Sequence, residues 1–230
     1  MCGRLNLSDL DGIRNLMAQI GMPLFAADQP VRFNVSPGTH IPVLHRLSAE
    51  HKPVTSAIGW SNMHWGMPVN TRPGAPMAIN ARCETAHEKP LFKHLTQSQR
   101  AIVPANGFYE WLKQGRERRA FHFTASDNSA LLMAGLWRRS QSGHRETVIL
   151  TAAANVDMAD IHDRMPVMLN ADQAHRWLSG ETELSAAVNQ WHPGQLVRRA
   201  VATHVNDARH DASDCLDDAQ AEPYTKDLFS

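Results

Sequence analysis

The sequence predicts an α+β fold built around a curved antiparallel sheet or β-barrel-like core with short flanking helices. Three observations lead there. Short strand-like runs recur along the chain, few helical segments interrupt them, and no regular strand–helix–strand alternation marks a parallel sheet. With 230 residues, 43% hydrophobic and 20% charged, the chain has the size and composition of one well-buried domain or two small ones. No internal repeat or linker divides it.

In chain order, Ser8-Asp9-Leu10-Asp11 reads as a capping-box variant. Leu10, Ile13, Met17 and Ile20 follow at helical spacing, predicting a helix from Asp9 to Ile20. Strand-like runs are Ile41 to Leu47, Pro53 to Trp60, Met77 to Arg82, Ala101 to Pro104, Phe108 to Lys113, Arg119 to Thr124, Ala130 to Trp137 and Thr147 to Ala152. Gln114-Gly115-Arg116-Glu117 reads as a hairpin loop. Short helices are expected at Pro90 to Leu95, Val156 to Ile161 and Ala171 to Leu178, the last stopped by Gly180.

The formal charge is zero, from 23 basic and 23 acidic residues, but it is unevenly placed. Residues 1–206 carry an excess of five positive charges and residues 207–230 an excess of five negative ones. A domain over 1–206 with an acidic, mobile tail over 207–230 is expected, and a basic body is compatible with a nucleic-acid partner. No run approaches the roughly 18 apolar residues of a membrane span, and the N-terminus lacks an apolar signal core. A cytoplasmic monomer follows as the expectation, associated with the nucleoid when bound to DNA. Cys2, Cys83 and Cys215 lack metal spacing, and the 13 histidines form no H-x-x-x-H or H-E-x-x-H pattern, so neither a metal nor another cofactor is expected.

Cys2 is the first residue suited to chemistry. Removal of Met1 leaves an α-amine and a thiol on one residue, with reference pKa values of about 7.7–8.0 and 8.5. An aldehyde meeting this 1,2-aminothiol forms an imine with the amine, and the thiol then closes a thiazolidine ring intramolecularly. Met-Cys-Gly also opens amidotransferases with an N-terminal cysteine nucleophile, so residue 2 alone leaves two enzyme classes open.

Downstream motifs separate them. Cys2-Gly3-Arg4, Arg32-Phe33-Asn34-Val35-Ser36-Pro37-Gly38-Thr39, Trp65-Gly66-Met67-Pro68, Ile79-Asn80-Ala81-Arg82-Cys83-Glu84-Thr85, Asn106-Gly107-Phe108-Tyr109-Glu110-Trp111 and Asp160-Ile161-His162-Asp163-Arg164-Met165-Pro166 occur in that order. Together they resemble the SOS-response-associated peptidase family of abasic-site-processing proteins, over roughly residues 2–206. The resemblance implies that Cys2 captures the ring-opened aldehyde of an abasic site in single-stranded DNA as a thiazolidine crosslink, shielding the lesion. It also implies that Asn80 positions the deoxyribose and the N-terminus, that Glu110 assists proton transfer at the sugar, and that His162 promotes aldehyde chemistry and crosslink reversal.

The residues admit these roles independently. Phe108, Glu110 and Leu112 share one face of a period-two strand, so the Glu110 carboxyl is expected among apolar neighbours. His162 carries an imidazole suited to proton shuttling, and the Asn80 amide both donates and accepts. Arg4, Arg82 and Arg164 sit beside these positions as expected phosphate contacts. Trp65 is the expected base-stacking platform, and the resemblance implies that Asn34 and Pro37 belong to a DNA-contacting loop near the nucleophile. After Trp65-Gly66-Met67-Pro68 the chain has Val69-Asn70-Thr71-Arg72, where family members commonly show another tryptophan. Abasic-site lyase activity, crosslink reversal and removal of the protein's own leading residue are expected to accompany capture; the alternatives are an N-terminal-nucleophile cysteine peptidase or amidohydrolase and a noncatalytic reader of modified DNA.

Overall fold

A computed structural model describes residues 2–25, 29–47, 58–115, 117–181, 184, 191–192 and 194–219. Among these the chain runs β1 (Leu5–Leu7), α1 (Leu10–Gln19), β2 (Arg32–Val35), β3 (His40–Arg46), β4 (Ile58–Trp65), β5 (Met67–Pro68), β6 (Met77–Ala78), β7 (Asn80–Arg82), α2 (Leu95–Ser98), β8 (Arg100–Ala105), β9 (Gly107–Gln114), β10 (Glu117–Ala125), β11 (Leu131–Arg139), β12 (Arg145–Ala153), β13 (Arg164–Pro166), β14 (Met168–Leu169), α3 (Ala171–Ser179) and β15 (Leu196–Ala200). Two 3-10 turns, Thr203–Asn206 and Ser213–Leu216, follow. No helix among the described residues is long and apolar enough to cross a membrane.

The strands form two main sheets. One has the order β15-β10-β9-β1-β2. In the other, pairing passes β12-β4-β3-β8-β11 and returns from β11 to β12, closing a ring with β13, β14 and β7 attached. The antiparallel expectation needs amending, because β12 pairs in parallel with β4 and with β7. The β5–β6 hairpin between those two strands reverses the chain twice, so β7 rejoins the same edge of β12 in the direction of β4.

Burial on both faces explains the near-continuous apolar runs. All of β8 is buried, as is β11 from Leu131 to Trp137, because α3 covers the outside of the ring. The Trp177 indole donates to the Ala101 carbonyl at 2.9 Å, and the Arg100 guanidinium lies 4.4 Å over its ring. Reciprocal bonds between Asn170 and Gln173 start α3, and Gly180 ends it at φ 88°. Asp9 caps α1 through the Gly12 N–H, turning Ile13 and Met17 into the core.

The β9–β10 hairpin forms at the expected loop, with Gln114 opposite Glu117. The run expected from Pro53 begins as a strand at Ile58 and continues to Trp65, while residues 53–57 lie outside the described residues. Met77 to Arg82 breaks at Ile79, since β6 pairs with β5 and β7 with β12. Pro90 to Leu95 forms turns, with α2 starting at Leu95, and Val156 to Ile161 forms turns rather than a helix.

The C-terminal segment corrects the expectation of a loose tail. Residues 207–219 pack on the sheet, and residues 220–230 lie outside the described residues. Tyr109, Ala120, Val201, Val205 and Cys215 form a second apolar cluster on the back of β9 and β10. The Asp211 carboxylate accepts the backbone N–H groups of Phe33 and Asn34 at 2.6 and 2.8 Å and pairs with Arg32 at 2.9 Å. Those donors line the outer edge of β2, which no further strand among the described residues covers, so the acidic segment satisfies a sheet edge.

Candidate active site

The first residues run alongside β9. Leu5 pairs with Phe108, and the Tyr109 N–H donates to the Arg4 carbonyl at 3.0 Å, so the antiparallel register carries Cys2 toward Glu110. Cys2 is fully buried. Burial first, and the negative charge of Glu110 second, push its thiol well above the usual cysteine range. At neutral pH the resting thiol therefore keeps its proton.

Asn80 reaches the same point from the other sheet. Its Nδ2 donates to the Cys2 carbonyl at 2.8 Å, while its buried Oδ1 has no hydrogen-bond partner among the described residues. β12 makes this possible by holding β7 on one edge, Ile149 opposite Asn80, and β13 on the other, Ala153 opposite Arg164. An acceptor left open beside Cys2 is suited to a ligand hydroxyl or amine.

Glu110 points inward between Phe108 and Leu112 and is 4% exposed. With His162 it lines a cleft of about 600 Å³, along with Trp111, Lys113, Arg118 and Asp160. His162 follows the turns at 155–161, and its Nδ1 accepts the Arg164 N–H at 2.9 Å, so the neutral ring carries its proton on Nε2. The exposed Asp163 carboxylate lies 2.9 Å from the same Nδ1. A protonated Nδ1 donates to that carboxylate and a neutral one accepts from the backbone, so the atom has a partner in either state.

Several expected DNA contacts are placed elsewhere. Trp65 is wholly buried, its indole donating to the Ile79 carbonyl at 3.0 Å, and a ring without an exposed face cannot stack on a base. Asn34 is also wholly buried and donates to the carbonyls of Asp207 and His210 at 3.0 and 2.6 Å. It clasps the C-terminal segment. Pro37 is half-buried in the turn between β2 and β3.

Two of the three arginines are occupied by internal partners. Arg4 donates to Asn34 Oδ1 at 2.7 Å and to the Val205 carbonyl at 3.0 Å, with its guanidinium 5.6 Å from the Trp111 ring. Arg164 holds both oxygens of Glu84 at 2.8 Å and the Thr151 carbonyl at 2.6 Å. That fork holds the Glu84 carboxyl down at about 2. Arg82 alone of the three is exposed, without a side-chain partner among the described residues.

Lys113 and Arg118 escaped the sequence reading. They face each other across the β9–β10 hairpin, and neither has a carboxylate partner among the described residues. Like charges directly opposite are unfavourable without an anion between them. Their symmetry about the Gln114–Glu117 loop was the available signal.

Residues 1–208 match the SOS response associated peptidase (SRAP) family. The chain is 33% identical to the abasic site processing protein YedK of Escherichia coli over 227 residues, covering 90% of this chain and 96% of that one. It is 30% identical over 217 residues to the abasic site processing protein HMCES of Xenopus tropicalis, covering 80% and 65% respectively. A crystal structure of a Bordetella bronchiseptica protein superposes with a TM-score of 0.70 at 26% identity, covering 87% of this chain and 100% of that one. The ordered motifs, the architecture and these matches agree: the chain belongs to the SOS response associated peptidase family.

Proposed function

We propose that this protein captures abasic sites in single-stranded DNA through the aminothiol of Cys2. One observation supports this above the others: Asn80 from one sheet and Glu110 from the other converge on a buried Cys2, with His162 opening into the Glu110 cleft. The cleft carries Lys113 and Arg118, and with the exposed Arg82 these supply positive charge for flanking phosphates.

The raised thiol orders the steps. With the thiol protonated at rest, the Cys2 amine freed by loss of Met1 attacks the aldehyde carbon first. The carbinolamine loses water to give an imine. The thiol sulfur then adds to the imine carbon, and the thiol proton ends on nitrogen, so aldehyde plus aminothiol becomes thiazolidine plus water. Glu110 exchanges protons at the sugar ring and the departing hydroxyl, and Asn80 Oδ1 holds a sugar hydroxyl or the amine. His162 shuttles a proton during imine formation and during reversal. Burial of Cys2 slows hydrolysis of the product.

A cysteine peptidase acting on other proteins draws no support from the thiol, because such a nucleophile works as a thiolate beside a cation and Cys2 is shifted the opposite way. Self-removal of Met1 and abasic-site lyase activity remain compatible with the same groups. The test is incubation with single-stranded DNA bearing one abasic site, followed by a denaturing gel. A heat-stable shifted band is expected from the wild type and none from Cys2→Ala. Absence of the band from protein shown by mass spectrometry to begin at Cys2 rejects the proposal.

A further inference from the structure

Outside the cleft, one set of metal-capable side chains gathers among the described residues: His204, His210 and Asp214. His204 lies in the first 3-10 turn, Asp214 in the second, and His210 on the chain between them. The spacing His-x5-His-x3-Asp fits none of the common metal motifs, and only the folding of the C-terminal segment back onto β2 brings the three together.

Their ligand atoms all lie within 4.8 Å of one another. His210 Nε2 is 2.6 Å from Asp214 Oδ1, and the His204 and His210 rings are 5.4 Å apart. Tetrahedral coordination with bonds of about 2.0–2.2 Å separates donor atoms by about 3.4 Å. Reaching it closes the widest gap by at most about 1.4 Å and opens the His210–Asp214 contact by about 0.8 Å. His204 is exposed and supplies that movement by rotating its ring, while the His210 carbonyl is held by Asn34 and the carboxylate of its neighbour Asp211 accepts the Phe33 N–H on the edge of β2.

We propose that His204, His210 and Asp214 bind one Zn²⁺ ion. Two imidazoles and one carboxylate favour a borderline transition metal over Mg²⁺ or Ca²⁺, which prefer all-oxygen sites. The partial exposure of all three leaves the fourth position to water. The ion staples the two 3-10 turns, and the first turn reaches the cleft. Val205 gives its carbonyl to Arg4, and Asn206 Oδ1 accepts the indole N–H of Trp111, a cleft-lining residue, at 2.6 Å. Metal binding thereby stiffens one wall of the cleft and plays no part in the capture chemistry.

Isothermal titration of the chelator-treated full chain with ZnCl₂, and separately with MgCl₂, tests this without DNA. The wild type is expected to bind one Zn²⁺ per chain and to show a Zn²⁺-dependent rise in Tm, with no response to Mg²⁺. His204→Ala and Asp214→Asn are each expected to weaken binding at least about tenfold and to abolish the Tm rise. His144→Ala, on an exposed turn elsewhere, serves as the control and binds as the wild type. His204→Ala removes an exposed side chain, so it retains the fold. Absence of saturable 1:1 binding, or wild-type affinity in either ligand variant, overturns the proposal.

Discussion

His122 gives the β9–β10 sheet a built-in sensitivity to acid. The residue is 6% exposed on β10, its ring 4.8 Å from that of Tyr109, and its Nε2 has no hydrogen-bond partner among the described residues. It fits there because Gly107 has no side chain; a β-carbon at that glycine would run into the imidazole. Burial, and then the charge of Arg199, push the ring down to about 4 from about 6.5 in the unfolded chain. Between those values the unfolded chain binds the extra proton, so stability is full above about pH 6.5 and is lost as pH falls toward 4. The whole shift is worth about 3 kcal/mol, of which about 2 kcal/mol is lost between pH 7 and pH 5. Urea denaturation followed by circular dichroism at those two pH values measures the loss. His122→Phe keeps a ring against Tyr109 but cannot titrate, so its loss over the interval is expected to be smaller by about 2 kcal/mol. An equal loss in both proteins refutes the assignment of a buried neutral imidazole.

Four further outcomes follow from the geometry. Asn80→Ala removes the hydrogen bond to the Cys2 carbonyl, worth about 1 kcal/mol, and is expected to slow crosslinking about five- to tenfold in single-turnover assays; an unchanged rate removes Asn80 from the positioning role. Arg82→Ala is expected to lower the slope of log affinity against log salt for single-stranded DNA by about 0.7 at unchanged stability. Arg164→Met, which breaks the half-exposed pair with Glu84, costs about 1 kcal/mol of stability; the reverse pattern in this pair of variants contradicts the placement of the two arginines. Asp211→Ala frees two backbone N–H groups on β2 and Arg32. Its expected cost in urea denaturation is about 2 kcal/mol, whereas a loosely attached acidic tail predicts none.

The role of that tail is where the sequence reading and the structure part most clearly. Composition correctly separated a basic body from an acidic end, but charge density alone does not distinguish a solvated appendage from a segment whose carboxylates bind backbone donors. Asp211 does the latter, and the donors it satisfies lie at residues 33 and 34. The same limit accounts for Trp65 and Asn34. Their place in a motif was visible, whereas the direction each side chain faces depends on elements far away in sequence, as with the Arg4 bond to Val205, which spans 201 residues.

Local patterns were sufficient wherever the deciding forces are local. The hairpin loop at Gln114–Glu117, the cap and stop of α3, and the inward face of Phe108, Glu110 and Leu112 follow from turn chemistry, terminal hydrogen bonds and the period of a strand. The candidacy of Cys2 was legible too, because loss of Met1 would leave an aminothiol there whatever the fold. Tertiary structure decided the parallel partners of β12, the convergence of Asn80 and Glu110 on Cys2, the internal occupation of Arg4 and Arg164, and the gathering of His204, His210 and Asp214. Each depends on which distant group satisfies a buried donor, acceptor or charge, and that choice exists only once the two sheets and the C-terminal segment have closed on one another.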